Sequence, residues 1–470
     1  MNYIACRFLD AVDNRPIPLV ITTTTDNVVA VSDNAGYVHI PINVRNGTRI
    51  YLTVTSPGYD VPVDGLGYRG IRIRVQKDTH TIKLRRTNIA QRSGRVTGIG
   101  KYIHGQSLGT IPDTVEQPLT GMDSVQSASI KGARYVFYGD TNWTGFPLGN
   151  FRTTNGIAIR QSKLINCPYT VKCSIDNQGN AESSIDINEP GVVWISGVVT
   201  VDDSIIAYAS HRKSLQEQVS HGHVRWDPIR RKFVDFKRIP NASWRHLDGP
   251  PIVYTDKADS FILFGHAIPN FRVPSTNRAY LNADSYETFT CLLPNGNIIR
   301  DTNGLPIWRW RKDGRPIDAE LEATLLKTGH LSRAQCRFLM PEVQTGRTVV
   351  PHCGSVRWNN YLKRWLITFT AMHEPESVLG EVFLASGESP TGPWTSCVKI
   401  ASHPKYSYYN PVHHSWLDQN DGRLITIEGT YTRTFSGNEL STPHYEYNQL
   451  TYQVDMSDVR LRFLASNDNR

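Results

Sequence analysis

Carboxylates open and close short apolar runs at recurring intervals in this sequence. In "GMDSVQSASIKGARYVFYGDTNW" (121–143), Asp123 precedes one strand-like run and Asp140 ends the next, 17 residues later. The same plan recurs with a spacing of 18 between Asp248 and His266, His352 and Thr370, and Asn410 and Glu428. A longer version, with a spacing of 21, joins Glu189 to Ser210. A carboxylate at a strand end is either an Asx turn or a working acid, and polar residues at the equivalent places of each segment favour the second. Like charges gathered in one cleft raise each other's pKa and weaken the fold, so such a cluster is functional or binds a cation. The chemistry that wants paired carboxyls is glycoside hydrolysis, in which one acid protonates the leaving oxygen and a second carboxylate activates water or attacks the anomeric carbon. The sequence offers Asp123 or Asp140 as base and Asp248 or Glu189 as acid.

Other polar residues fall where a bound glycan would meet them. His266, His352 and Glu428 open or close the same segments, and Glu381 opens a strand after Gly380. Trp143 and Arg152 lie beside Asp140, Arg152 within the polar loop "GDTNWTGFPLGNFRTTNG". An aromatic plane suits the apolar face of a sugar. "SHGHVRW" puts His221 and His223 on one strand face, because side chains two apart point the same way. That pair is a sugar contact or, with nearby carboxylates, a site for structural Ca²⁺, although the spacing matches no metal motif; no cofactor is otherwise required. In "NPVHHSW", His413 and His414 point to opposite faces, so at most one reaches a shared site.

The elements that must position these residues are strands. The chain has 470 residues, 39% apolar and 10% aromatic, with 35 Gly and 27 Pro, and Val, Ile, Thr and Tyr recur in short runs between turn residues. The one helix candidate is 316–329. Residues 1–87 carry short strands at regular spacing and predict a small β-sandwich; the polar, Gly-containing stretch 88–100 reads as a linker. From 101 to 470 the five segments recur about every 55–105 residues, each opening with a hairpin. That is the pattern of a five-bladed β-propeller, at roughly 74 residues per blade. The expected fold is therefore all-β, a small N-terminal β-sandwich followed by a five-bladed propeller. The first strand of each blade would line a channel, so Asp123, Glu189, Asp248, His352 and Asn410 would converge at one mouth.

Three resemblances accompany these motifs. "DNRPIPLVIT…VSDNAGYVHI…LTVTSPGY" resembles the carboxypeptidase regulatory-like or prealbumin-like module over most of residues 3–86. Over 101–465, "HLDGPPIVYTDKADSFILFG" and "EVFLASGESPTGPW" resemble the five-bladed propeller glycoside hydrolases of family 43, the arabinanases and xylosidases. That resemblance implies a base at Asp123 and an acid at Asp248, which replaces the family's Glu in Glu-Gly-Pro. In "NEPGVVWIS" the family's aspartate after proline is Gly191, so Glu189 departs from the pattern. "YVFYGDTNW" resembles a second group, the endo-acting D-arabinanase propellers, and implies a catalytic role for Asp140.

The net charge of +8 is spread over the chain and forms no basic stripe, which argues against nucleic acid as a partner. The expected partner is a polysaccharide or oligosaccharide. Seven cysteines without a CxxC argue against a zinc site, although Cys167 and Cys173 could close a small loop in an oxidising compartment. No run is long enough to span a bilayer. The function suggests a secreted or periplasmic protein; no signal peptide is visible, which keeps a cytoplasmic location open. Two rivals stand beside a glycosidase: a carbohydrate-binding propeller with no matched acid and base, and a polysaccharide lyase. A lyase would abstract a uronate α-proton with His, Tyr and Arg.

Overall fold

The computed structural model describes residues 2–114, 116–145, 153–160, 165–187, 189–240, 244–372, 374, 376–394 and 396–465. Strands dominate. Among the described residues the α-helices are Ile103–Ser107 and Ala319–Lys327. The second begins where Asp318 accepts a hydrogen bond from the Leu321 N–H at 2.7 Å, an N-cap that satisfies one of the helix's orphan donors.

The N-terminal part holds two four-stranded sheets. One orders Tyr37–Ile42, Asn2–Asp10, His80–Arg86 and Tyr59–Asp60; the other orders Val29–Val31, Ile21–Thr24, Arg49–Thr55 and Gly70–Arg74. Alternation along the strands turns Ile4, Cys6, Phe8, Val38, Ile40, Leu52 and Val54 into one shared core, as period-two side-chain placement requires.

Among the described residues five antiparallel sheets of four or more strands follow, beside two two-stranded pairings, Leu119–Met122 with Thr141–Trp143 and Met340–Pro341 with Thr348–Val349. The first strands of the five are Gln126–Ile130, Val192–Val201, Ile252–Asp256, Pro351–Asn359 and Ser407–His413. The third sheet has five strands. The fifth takes its outer strand, Gln91–Arg95, from ahead of the first sheet, with Tyr452 paired to Arg92 and Gln453 to Gln91. The stretch 88–100 is thus not a free linker: it supplies a strand in which Arg92 and Arg95 are each 1% exposed.

Hydrogen bonds link every sheet to the next. Gln126 donates to the Ile195 carbonyl at 3.0 Å, and the Gly197 N–H donates to the Gly249 carbonyl at 3.1 Å. The Gly354 N–H donates to the His266 carbonyl at 2.8 Å, and the His413 N–H to Ser355 Oγ at 2.7 Å. Asn410 Nδ2 donates to Ser124 Oγ at 2.7 Å, returning from the fifth sheet to the first. These contacts run from each sheet, or the loop beside it, to the next and return from the fifth to the first.

Candidate active site

At one mouth of that closed arrangement lies a cavity of about 680 Å³. Asp123, Asp140, Asp248 and Asn410 line it, as does His266. The fourth sheet reaches it through Cys353, the neighbour of His352. Its apolar wall includes Leu215, Pro250 and Phe435. Among the described residues no arginine or lysine lines it.

The first wall is a carboxyl pair. The Asp123 N–H donates to the Asp140 carbonyl at 3.2 Å, which fixes the two residues side by side. Gly139 makes this approach feasible, since a Cβ there would stand 2.0 Å from Asp123 Oδ1. Tyr409 and Tyr447 donate their hydroxyls to Asp123 Oδ2 at 2.5 and 2.6 Å. Burial pushes the Asp123 carboxyl up, against the opposing effect of these donors. The Asp140 side chain reaches the second sheet: its Oδ1 accepts from Trp194 Nε1 at 2.8 Å. Asp140 is 9% exposed, and burial, together with the Asp123 charge, pushes it up to about 7.

The facing wall is built around Asp248. Gly249 has φ +59, and a Cβ there would meet the Gly265 carbonyl oxygen at 2.0 Å, so glycine is required directly after Asp248. Asp248 Oδ1 accepts from Ser196 Oγ at 2.6 Å and from the Gly249 N–H at 2.7 Å. Its Oδ2 stands 3.1 Å from His266 Nε2. Burial opposes its ionised form, but His266, Ser196, His246 and Gly249 together outweigh burial and hold the carboxyl below its ordinary value. His266 is raised in turn, chiefly by Asp248 and then by Cys353.

One strand spans both walls. Trp194 and Ser196 lie two apart on Val192–Val201, hence on one face and about 6.6 Å apart along the strand. One holds Asp140 and the other holds Asp248. The strand bulges after Ser196, at Gly197 with φ +61, where a Cβ would stand 2.7 Å from that of Leu247. This close approach lets the 247–249 turn press against Ser196.

Cys353 completes the second wall. The strand Pro351–Asn359 shifts register between Pro351 and Gly354, so the side chains on either side of the shift do not simply alternate. Burial would raise the Cys353 thiol, but the neighbouring His266 and His352 outweigh it and bring it to about 7. The other six cysteines are buried free thiols, Cys167 and Cys173 included.

Several candidates stand elsewhere. Glu189 is outside the cavity, paired with Arg238 at 2.5 Å and near His211 at 3.8 Å. His221 is buried, its ring nitrogens engaged by the Tyr208 hydroxyl at 2.8 Å and the Pro240 carbonyl at 2.9 Å. His223 is buried against the Tyr286 hydroxyl at 3.2 Å. Both histidines lie on the second sheet, outside this cavity; His223 lines a separate one. Glu381 is buried and binds Ser402 and Lys399 at 2.7 and 3.1 Å. Glu428 is buried, accepting from the Tyr169 hydroxyl at 2.6 Å and standing 3.0 Å from His414 Nε2. His413 faces Asp418 at 2.9 Å and lines a separate cavity. Trp143 belongs to an apolar core, and Arg152 lies outside the described residues. Among the described residues no group of three or more His, Cys, Asp or Glu side chains is placed to hold a metal ion.

The sequence reading missed Trp194, Ser196 and Cys353. The signal for the first two was the spacing of 21 in the second segment: Trp194, not Glu189, pairs with Ser210. The signal for the third was a cysteine directly beside the segment-opening His352.

No protein-family model matches the chain. No curated protein matches it either. Solved structures similar to it include an exo-1,5-α-L-arabinanase from a bovine ruminal metagenomic library, 7% identical, covering 73% of this chain and 95% of that one at a TM-score of 0.35. They include a GH43_1 enzyme from Xanthomonas citri complexed with xylose, 10% identical over 72% and 89% at 0.34. An N-acetylgalactosamine deacetylase from F. plautii, in complex with blood group B trisaccharide, is 8% identical over 80% and 97% at 0.38.

Proposed function

We propose that the chain is a five-bladed β-propeller carrying an N-terminal β-sandwich, and that it hydrolyses glycosidic bonds in the cavity between Asp140 and Asp248. The observation that carries this reading is the opposite treatment of two carboxyls tied to one strand. Asp140 is raised to about 7 and keeps a proton to donate near neutrality, whereas Asp248 is lowered and stays ionised. Carboxyls whose surroundings push their pKa values apart divide acid and base roles between them. Asp140 then protonates the leaving oxygen, and the Asp248 wall supplies the negative charge that meets the developing oxocarbenium ion. Asp123 serves Asp140, because its charge helps keep that proton in place. These roles reverse the order drawn from sequence, where Asp248 was the acid.

A binding propeller would need no such division. A lyase would need a cation free to meet the uronate; no arginine or lysine lines the described cavity, and the charge of His266 is paired with Asp248 at 3.1 Å. The groups described here are sufficient without a divalent ion, so chelation with EDTA should leave activity unchanged. A glycan outside the cell would go with a secreted or periplasmic location. The test is a panel of plant and microbial polysaccharides and nitrophenyl glycosides, starting with arabinosides and xylosides, with product analysis. Cleavage by the wild type that is lost in both D140N and D248N is expected; a chain that cleaves none, or variants that keep full activity, would end the reading.

A further inference from the structure

The second wall of the cavity holds more chemistry than an ionised carboxylate. Both oxygens of Asp248 are committed, Oδ1 to Ser196 and the Gly249 N–H and Oδ2 to His266 at 3.1 Å. A carboxylate so engaged is a poor attacking group, because each hydrogen bond must weaken as charge leaves the oxygen. The atom on this wall with lone pairs to offer is the sulfur of Cys353. Cys353 lines the same two cavities as His266, whose ring is held by Asp248 at 3.1 Å. The Gly354 N–H, bonded to the His266 carbonyl at 2.8 Å, fastens the cysteine's strand to that histidine. Cys353 is half-buried, whereas the other six cysteines are buried, and it lines both this cavity and an adjoining one of about 480 Å³.

We infer that Cys353 is the nucleophile of this site, positioned by His266 and Asp248 to attack the anomeric carbon of a glycoside and form a thioglycosyl intermediate. This rests on the glycosidase reading and specifies it. The nucleophile of a Cys–His pair is the thiolate, activated by the adjacent imidazole. Acyl transfer, the other use of a Cys–His–Asp set, needs free amide donors for an oxyanion. The nearest glycine amides, Gly249 and Gly354, already donate within the protein.

In the first step the thiolate forms a C–S bond as the C–O bond to the leaving group breaks. The electron pair of that bond goes to the leaving oxygen, which takes the Asp140 proton. In the second step water attacks the same carbon, gives its proton to Asp140, and the C–S pair returns to sulfur. Two inversions leave the anomeric configuration retained. Asp140 and Cys353 line one cavity, which puts acid and nucleophile at the same bound sugar.

The experiment uses the full chain and three readouts. Brief iodoacetamide treatment at pH 7, followed by peptide mass mapping, should label Cys353 at least tenfold faster than any other cysteine, and H266N should slow that labelling. A panel of 2,4-dinitrophenyl 2-deoxy-2-fluoroglycosides of arabinofuranose, xylose and galactose should leave a glycosyl adduct on Cys353. In C353A, hydrolysis of nitrophenyl glycosides should fall at least 10³-fold, and azide should restore leaving-group release with formation of a glycosyl azide. An adduct on an aspartate, inverted products, or a C353A variant of undiminished activity would overturn the inference while leaving the glycosidase reading standing. Absence of cleavage of every glycoside would remove both.

Discussion

At Asp140 a single proton connects chemistry and stability. Its carboxyl sits at about 7 in the fold against an ordinary value near 3.9, so the native state binds a proton that the unfolded chain has released between those pH values. Stability therefore falls as pH rises through that window. Asp140→Asn removes the term while keeping shape. Its melting temperature should match the wild type near pH 4 and exceed it at pH 8, read by thermal denaturation at the two values. Activity should move the other way: loss of a general acid costs about 10²–10⁴-fold, and the wild-type rate should decline above about pH 7 as the acid ionises. Tyr409 and Tyr447 refine the same group at one remove. Removing both hydroxyls (Y409F/Y447F) takes away donors that favour ionised Asp123, so Asp123 rises further and charges Asp140 less. The alkaline limb of the pH–rate profile should then shift downward.

Strand Val192–Val201 is the element on which the site depends. Trp194→Phe keeps an aromatic ring but loses the indole donor to Asp140 Oδ1. A donor to the ionised form lowers a pKa, so its loss should move the alkaline limb of the pH–rate profile upward, with melting temperature little changed. Gly197→Ala acts through backbone: the left-handed φ and the Leu247 approach make it cost about 1–3 kcal/mol, and it should push the 247–249 turn away from Ser196 and reduce kcat. The sequence made the strands and their recurrence legible, because alternation and turn residues are local signals. It also brought out Asp123, Asp140, Asp248 and His266, because polar residues ending apolar runs stand out. It did not reveal Trp194, Ser196 or Cys353. Their aim depends on two register shifts, after Ser196 and between Pro351 and Gly354, and a bulge leaves little trace in the pattern of residue types. The histidine pair 221/223 shows the converse: it shares one face, as expected, but that face meets Tyr208, Tyr286, Pro240 and Leu247, away from the cavity of Asp140 and Asp248.

Across the whole molecule, the N-terminal sheets and the closed set of five share interior. Leu19 and Val31 belong to the same apolar cluster as Leu384, Ile425, Tyr452 and Leu461. Tyr445 donates to the Ser32 carbonyl at 2.8 Å and accepts from the Leu19 N–H at 3.2 Å. Arg92, on the strand that completes the fifth sheet, reaches the other way: its Nε donates to the Pro18 carbonyl at 2.9 Å, Nη1 to the Pro57 carbonyl at 2.7 Å and Nη2 to Ser56 Oγ at 2.6 Å. A buried guanidinium that donates to four acceptors of the N-terminal part ties the two together, since a buried acceptor left without its donor costs about 1–3 kcal/mol. The chain should accordingly unfold in one cooperative transition, with circular dichroism and tryptophan fluorescence coincident. Limited proteolysis of the native protein should spare 88–100, despite its polar composition, because cleavage there requires freeing a paired strand with two buried arginines. Arg92→Ala should lower the denaturation midpoint and expose 88–100 to protease. Two separated transitions in the wild type, or rapid cutting in 88–100 with an intact 101–470 fragment, would mean that the halves fold independently and that the fifth sheet does not need its borrowed strand.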